Sequence, residues 1–439
     1  MSRIFNVSRE VAILSSGEKN ENSGIVTSVV CLLMAFAPVL DPYVIPVASN
    51  GVRVVGLLVF CLAAYLVVSK RCSWTRKGLS LVAVAAVFVL CTVASSSSVV
   101  VGRDIIAAMR IAIIYFVYAC CYSAISGHIA LERFAKIATG VALAATILLF
   151  VQYLSSGSFW DGRLPLPLSG ADEFMSLVDP TTGRVRPHGF FQEVSYYALY
   201  VAPVLMYAVL NNRAVVSLVL SVGLFLSSSL IGYVALVFAL LVIVSKVKSR
   251  TGRIDWRKVV LVLSGFFFLA IICFVLVDLN AIPILNSAAD EIARRVNSVF
   301  DISTVYSWGR SSAQQRLLGN IALFADYGFV QKLFGMGVGE YINVFSGVET
   351  TYGSSMVNML LGFGVVGETA LIVWLICLVK RLNHYPIAFS LLVVLALFTD
   401  NVLFGWYFFY LLSWVGENSL HISNNGPLPF QARHEAMRG

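Results

Sequence analysis

The chain has 439 residues, 59% of them hydrophobic and only 12% charged, with 31 lysines and arginines against 23 aspartates and glutamates. That apolar content exceeds what a soluble domain carries and argues against a water-soluble enzyme. The net charge of +8 does not point to nucleic acid, because the basic residues lie mostly in short loops between apolar runs, where lysine and arginine mark the cytoplasmic side of a membrane.

Residues 1–24 are polar and mixed in charge, and Ile25 to Leu40 is the first apolar run. A signal-peptide core looks similar, but apolar runs follow to the end of the chain, and this one reads as an uncleaved first helix. Runs long enough to cross a bilayer fall at 24–40, 52–69, 78–94, 104–126, 137–154, 193–210, 214–228, 230–247, 259–277, 356–379, 386–399 and 402–415. The reading is an all-α, polytopic membrane bundle of about twelve transmembrane helices, forming one integral membrane domain over residues 1–439 with a polar tail at 417–439. The serines at 227–229 mark a tight hairpin between two of these helices, and no internal repeat is visible.

With a cytoplasmic amino terminus, the basic clusters Lys70–Lys77, Arg133–Lys136, Arg213, Lys246–Lys258 and Lys380–Arg381 all fall on one side, and Arg433 and Arg438 in the tail join them. Arg103 is the exception. The positive-inside bias then puts both termini in the cytoplasm of a multi-pass membrane protein. Two long loops, 155–192 and 278–355, face outward. Loops of that length are functional or disordered in a compact protein. In the second, Ile292, Val296 and Phe300 recur at helical spacing. A further helix is predicted over 311–326 with Leu317, Leu318, Ile321 and Phe324 on its apolar face. Both are expected to lie on the membrane surface and roof a cavity.

All cysteines except Cys72 lie inside apolar runs, and the five histidines are scattered. Neither a disulfide framework nor a metal site is expected, and no cofactor motif is present.

The chemistry concentrates in Arg184-Val-Arg186-Pro-His188-Gly-Phe-Phe-Gln-Glu193, just before a helix. Arginine presents a fixed fork of donors that suits phosphate, and a helix start attracts anions. Tyr197 lies one turn into that helix and is a candidate substrate contact. The competing reading is that the arginines are interfacial anchors, reaching lipid phosphates. Arg310 precedes the 311–326 helix and Arg316 lies within it; the alternative for Arg316 is a solvated helix face. Gly335-Met-Gly337-Val-Gly339 lets backbone approach backbone or ligand, but lacks the lysine and strand–helix context of a phosphate loop. Gly362, Gly364 and Gly367 read as small-residue helix packing. Arg103, Asp104 and Arg110 put ionisable groups at or inside a span, either as a structural pair or as functional groups.

These residues resemble a family pattern. Arg186-x-x-Gly-Phe-Phe-x-Glu193-x-Ser, the loop with Gly-Arg310 and Gly335-x-Gly337-x-Gly339, and the following span with Gly364-x-x-Gly367 look like the O-antigen and exopolysaccharide polymerase (Wzy) family. The resemblance covers roughly residues 140–380 and the span count. It implies a metal-independent, GT-C-like membrane glycosyltransferase of the bacterial inner membrane, with a periplasmic active face. Its substrates would be oligosaccharide repeat units on undecaprenyl diphosphate, and its partners membrane lipid and a chain-length regulator protein. The functional arginines of such enzymes would map to Arg186 and Arg310. The residues themselves add Arg184, Arg316, Tyr197 and Tyr352 as candidate substrate contacts, and Glu193 or His188 as the base that an attacking hydroxyl needs. The related O-antigen ligases carry a histidine before the span that follows the second loop. This chain has Tyr352-Gly-Ser354-Ser355 there, which favours polymerase over ligase and leaves the base open.

Overall fold

Helices account for nearly every apolar run. The computed structural model describes residues 18–45, 52–72, 74–95, 101–125, 128–163, 176–178, 185–249, 324–337, 354–380 and 386–415. In chain order the helices are α1 (Glu18–Leu40), α2 (Val54–Val68), α3 (Arg76–Ser95), α4 (Val101–Ile125), α5 (His128–Leu154), α6 (Val194–Leu210), α7 (Ala214–Leu226), α8 (Leu230–Ser249), α9 (Phe329–Phe334), α10 (Ser355–Lys380), α11 (Pro386–Thr399) and α12 (Trp406–Ser413). Between α1 and α2 a two-residue antiparallel pair, β1 (Val44–Ile45) and β2 (Val52–Arg53), closes the turn. Among the described residues, four stretches are long and apolar enough to cross a membrane: Arg76–Ser95, Ile105–Ile125, Ala130–Leu154 and Ser355–Leu378. In a bilayer every backbone polar group needs an internal partner, and the helix supplies it.

The expected span at 259–277, both surface helices of the second loop up to residue 323, and the tail from 416 lie outside the described residues. The expectations differ from the structure in detail elsewhere. Helix α5 begins at His128, so Arg133 and Lys136 sit in its first turns and not in the preceding loop. Helix α12 is only eight residues long, and α9 was not anticipated.

The packing centre is α12. Its eight residues are all buried, and its aromatic rings meet rings of α4, α5, α6 and α10. Tyr410 stacks on Tyr200 of α6 at 4.3 Å, Tyr407 on Tyr196 at 4.5 Å, and Phe409 on Tyr118 of α4 at 4.5 Å. Phe389 of α11 stacks on Trp414, just past the helix, at 5.8 Å. Tyrosine suits this place because its ring packs like an apolar group while its hydroxyl can reach a carbonyl. Tyr410 donates to Tyr200 O (2.9 Å), Tyr200 to Ala35 O (2.8 Å), and Tyr115 to Leu403 O (3.0 Å).

Contacts at the helix ends sort into two sets. In one, Arg133 donates to Gly24 O (3.0 Å) and Ser28 Oγ (3.2 Å), while Lys77 and Tyr122 both donate to Val415 O (3.2 and 3.0 Å). In the other, Arg53 pairs with Asp41, and Ser355 Oγ donates to Asp400 O (2.6 Å) and accepts from the backbone N–H of Val402 (2.8 Å). These are the groupings that helices crossing in alternate directions require.

Candidate functional site

The segment between α5 and α6 is held by one buried glutamine. Gln152 Nε2 donates to Gly189 O (2.8 Å) and Trp160 O (3.1 Å), and its Oε1 accepts from the N–H groups of Gly189 (2.9 Å) and His188 (3.2 Å). An amide side chain is both donor and acceptor, so it can satisfy a turn's N–H and C=O together. Gly189 has φ +66°, and a Cβ there would lie 2.8 Å from Ala145 O of α5. The position therefore demands glycine on both conformational and steric grounds.

The two phenylalanines that follow complete the anchor. Phe191 is buried, with its ring 5.0 Å from Tyr200 and 5.2 Å from Phe190. Gly-Phe-Phe is thus the structural half of the motif, and the polar residues flank it. Upstream, Arg186 N–H donates to Leu177 O (2.7 Å), beside a bridge between Val178 and Val185. Arg186 is half-buried. Downstream, Glu193 is also half-buried; it is the cap residue of α6, with extended backbone and no side-chain capping bond, and its Oε1 accepts from the Ser195 hydroxyl. A carboxylate at a helix start sits in the favourable field of the helix dipole.

Two expectations change here. Tyr197 is not at a ligand surface. It is fully buried between α5 and α7, its hydroxyl shares a 2.8 Å hydrogen bond with Thr146 Oγ1, and Gly223 of α7 leaves room for it. Its spacing from Glu193 placed it one turn on, but that turn faces the bundle interior. His188 is only 1% exposed and enclosed in the Gln152 turn, so the structure does not present it to an acceptor hydroxyl. Arg184, Arg310, Arg316 and Tyr352 lie outside the described residues.

The two glycine motifs meet each other. Gly364 has φ +65° and ψ −166°, which breaks α10 within its membrane-crossing stretch. The carbonyls of Leu361 and Gly362 accept from the N–H groups of Met336 and Gly337, both at 3.0 Å. A Cβ on Gly335 would lie 2.2 Å from Gly362 C, and one on Gly364 would lie 2.4 Å from Leu333 O. Helix-on-helix packing was expected from Gly362 and Gly364. The structure shows instead the backbone of residues 335–337 docked on a broken helix. Non-helical backbone at membrane depth is tolerated where protein supplies the missing partners. One turn past the break, Glu368 Oε2 is buried and has no hydrogen-bond partner among the described residues. Neither Gln152 nor Glu368 belongs to a motif; their signal in the sequence is a glutamine and a glutamate inside otherwise apolar spans.

The geometry defines a class: a helical protein with at least four helices suited to crossing a membrane, carrying an arginine–glutamate turn fixed to the end of one of them. No family model, no curated protein and no solved structure matches the chain.

Proposed function

We propose that the chain is a membrane glycosyltransferase that polymerises oligosaccharide repeat units carried on undecaprenyl diphosphate. The observation that supports this is the Arg186–Glu193 turn. Gln152 and Phe191 fix its backbone, and the two ionisable residues flank the fixed part. Preorganised groups of this kind stabilise developing charge without reorganising during reaction.

In this reading the acceptor hydroxyl attacks the anomeric carbon of the donor sugar, and the bond from that carbon to the diphosphate oxygen breaks. Glu193 takes the hydroxyl proton, and Arg186, with Arg310 and with Arg184 and Arg316 nearby, receives the departing diphosphate. Because the donor is already activated by its diphosphate, the reaction needs no nucleotide sugar. The site would face the periplasm.

A deletion strain complemented with variants tests the proposal through electrophoresis of surface polysaccharide. The expected result is loss of the polymer ladder with single-unit capping retained, and the same for Arg310→Ala and Arg186→Ala. Arg310→Lys should restore only part, because lysine lacks the planar fork. Removing one charge-stabilising donor should raise the barrier by about 3–4 kcal/mol. Loss of all attached polymer, single units included, would favour the ligase alternative. A full ladder in the deletion strain would end the polymerase reading.

A transporter or flippase is the second reading, and one observation favours it. Discontinuous helices with a buried carboxylate beside the break, as at Gly364 and Glu368, are how many transporters build a substrate site. Flux of a labelled lipid-linked oligosaccharide across vesicles containing the purified protein, with no polymer formed, would decide for it.

A further inference from the structure

Between α2 and α4 lies a cavity of about 510 Å³ that the reaction above does not use. Arg53 at the start of α2 and Arg110 in α4 both line it, together with Leu57, Phe60, Ile113 and Trp406. Leu57, Phe60 and Ile113 are exposed, so the cavity opens sideways onto the apolar flank of the bundle and not into its interior. Arg110 lies inside the Ile105–Ile125 stretch, one of those suited to crossing a membrane. From its position it sits about 8 Å past the start of that stretch. A cation at such depth is costly unless it is paired or reaches the interface. Among the described side chains no carboxylate forms an ion pair with Arg110. Arg53 does have a carboxylate, Asp41, at 2.5 Å.

Among the described residues the groove thus brings together two guanidinium groups, one of them paired with Asp41, beside an apolar wall that opens on the flank of the bundle. We infer that this groove holds an anionic phospholipid of the surrounding bilayer, its singly charged phosphodiester at Arg110 and Arg53 and one acyl chain along Leu57, Phe60 and Ile113. The two guanidinium groups give a phosphodiester its partners, and the sideways opening lets the lipid enter without leaving the membrane. Arginine's fork also suits phosphate oxygens better than a lysine would. The inference is independent of which reaction the chain carries out.

The test uses the full-length purified protein, delipidated in a neutral detergent. Native mass spectrometry would compare retention of short-chain phosphatidylglycerol and phosphatidylcholine, with polyprenyl diphosphate and inorganic phosphate as competitors. Phosphatidylglycerol should be retained preferentially, and Arg110→Ala should cut that preference by about fivefold, the effect of one basic residue at an anionic lipid surface. Arg110→Lys should keep part of it. Should Arg110→Ala fail to fold, Ile113→Trp leaves both arginines in place, fills the apolar wall and should lose the lipid equally. Equal retention of both phospholipids overturns the inference. So does inorganic phosphate displacing phosphatidylglycerol at equal concentration, which would mark a free-anion site, or polyprenyl diphosphate binding in its place with the arginines required, which would assign the groove to a different lipid. Polymer formation in the complemented strain reads out the transferase proposal separately.

Discussion

Two non-helical segments dock on long helices through glycine, and they do so by different means. The segment before α6 is held by a side chain: Gln152 reaches out of α5 and grips the backbone of His188 and Gly189. The segment before α10 is held by its own backbone, with Met336 and Gly337 donating directly to the carbonyls that the break at Gly364 frees. A side-chain grip can be weakened one hydrogen bond at a time and does not itself engage the side chains of the neighbouring Arg186 and Glu193. A backbone grip has no side chain to remove; it fails when something is added. The first arrangement suits a site carrying chemistry, the second a fixed joint.

The largest effect should come from adding a methyl group to the backbone joint. In Gly335→Ala the new Cβ would sit 2.2 Å from Gly362 at a backbone angle of φ +79°. Left-handed strain and overpacking together should destabilise docking by roughly 3–5 kcal/mol. A cysteine placed at Lys332 should then be modified much faster than in the parent. Unchanged protection would show that the joint is looser than its geometry.

Glu193→Gln addresses the side-chain-held segment without touching its anchor. The protein should fold with an unchanged melting profile while polymerisation drops by about 10²–10⁴-fold, the range for a general base. Wild-type ladder length in that variant would leave Glu193 with only its place at the helix start.

Gln152→Leu strikes the anchor itself. The N–H and C=O of Gly189 lose their partner together, and orphaned buried polar groups cost about 1–3 kcal/mol each. Thermal unfolding in detergent should register about 3 kcal/mol of loss, and polymerisation should fall because Arg186 and Glu193 lose their common support. Loss of activity without loss of stability would mean that Gln152 acts on substrate and not through the turn.

The smallest effect belongs to Tyr197→Phe. Thr146 keeps its bond to Ala142 O (2.7 Å), so nothing is stranded. The expected change is about 0.6 kcal/mol, typical of an interhelical hydrogen bond in a membrane protein, with polymer formation intact. A severe loss of activity would restore Tyr197 as a substrate contact.

What the sequence determined by itself was local. Apolar runs of sufficient length must become helices in a bilayer, because only the helix satisfies its own backbone, so residues 76–95, 105–125, 130–154 and 355–378 were legible without any partner. The alternation of basic loops is likewise a property read along the chain. Arg186 and Glu193 were visible because ionisable groups are scarce among so many apolar ones. Tertiary structure decided everything that depends on which face of a helix meets what. Spacing put Tyr197 one turn from Glu193, but only packing shows that this turn looks toward Thr146. Gly-x-Gly patterns announce close approach without naming the partner, and it took the fold to bring residues 335–337 against a break at Gly364. Arg53 and Arg110 are 57 residues apart in the chain; that they line one cavity is a property of how α2 packs on α4 and is written in neither helix alone.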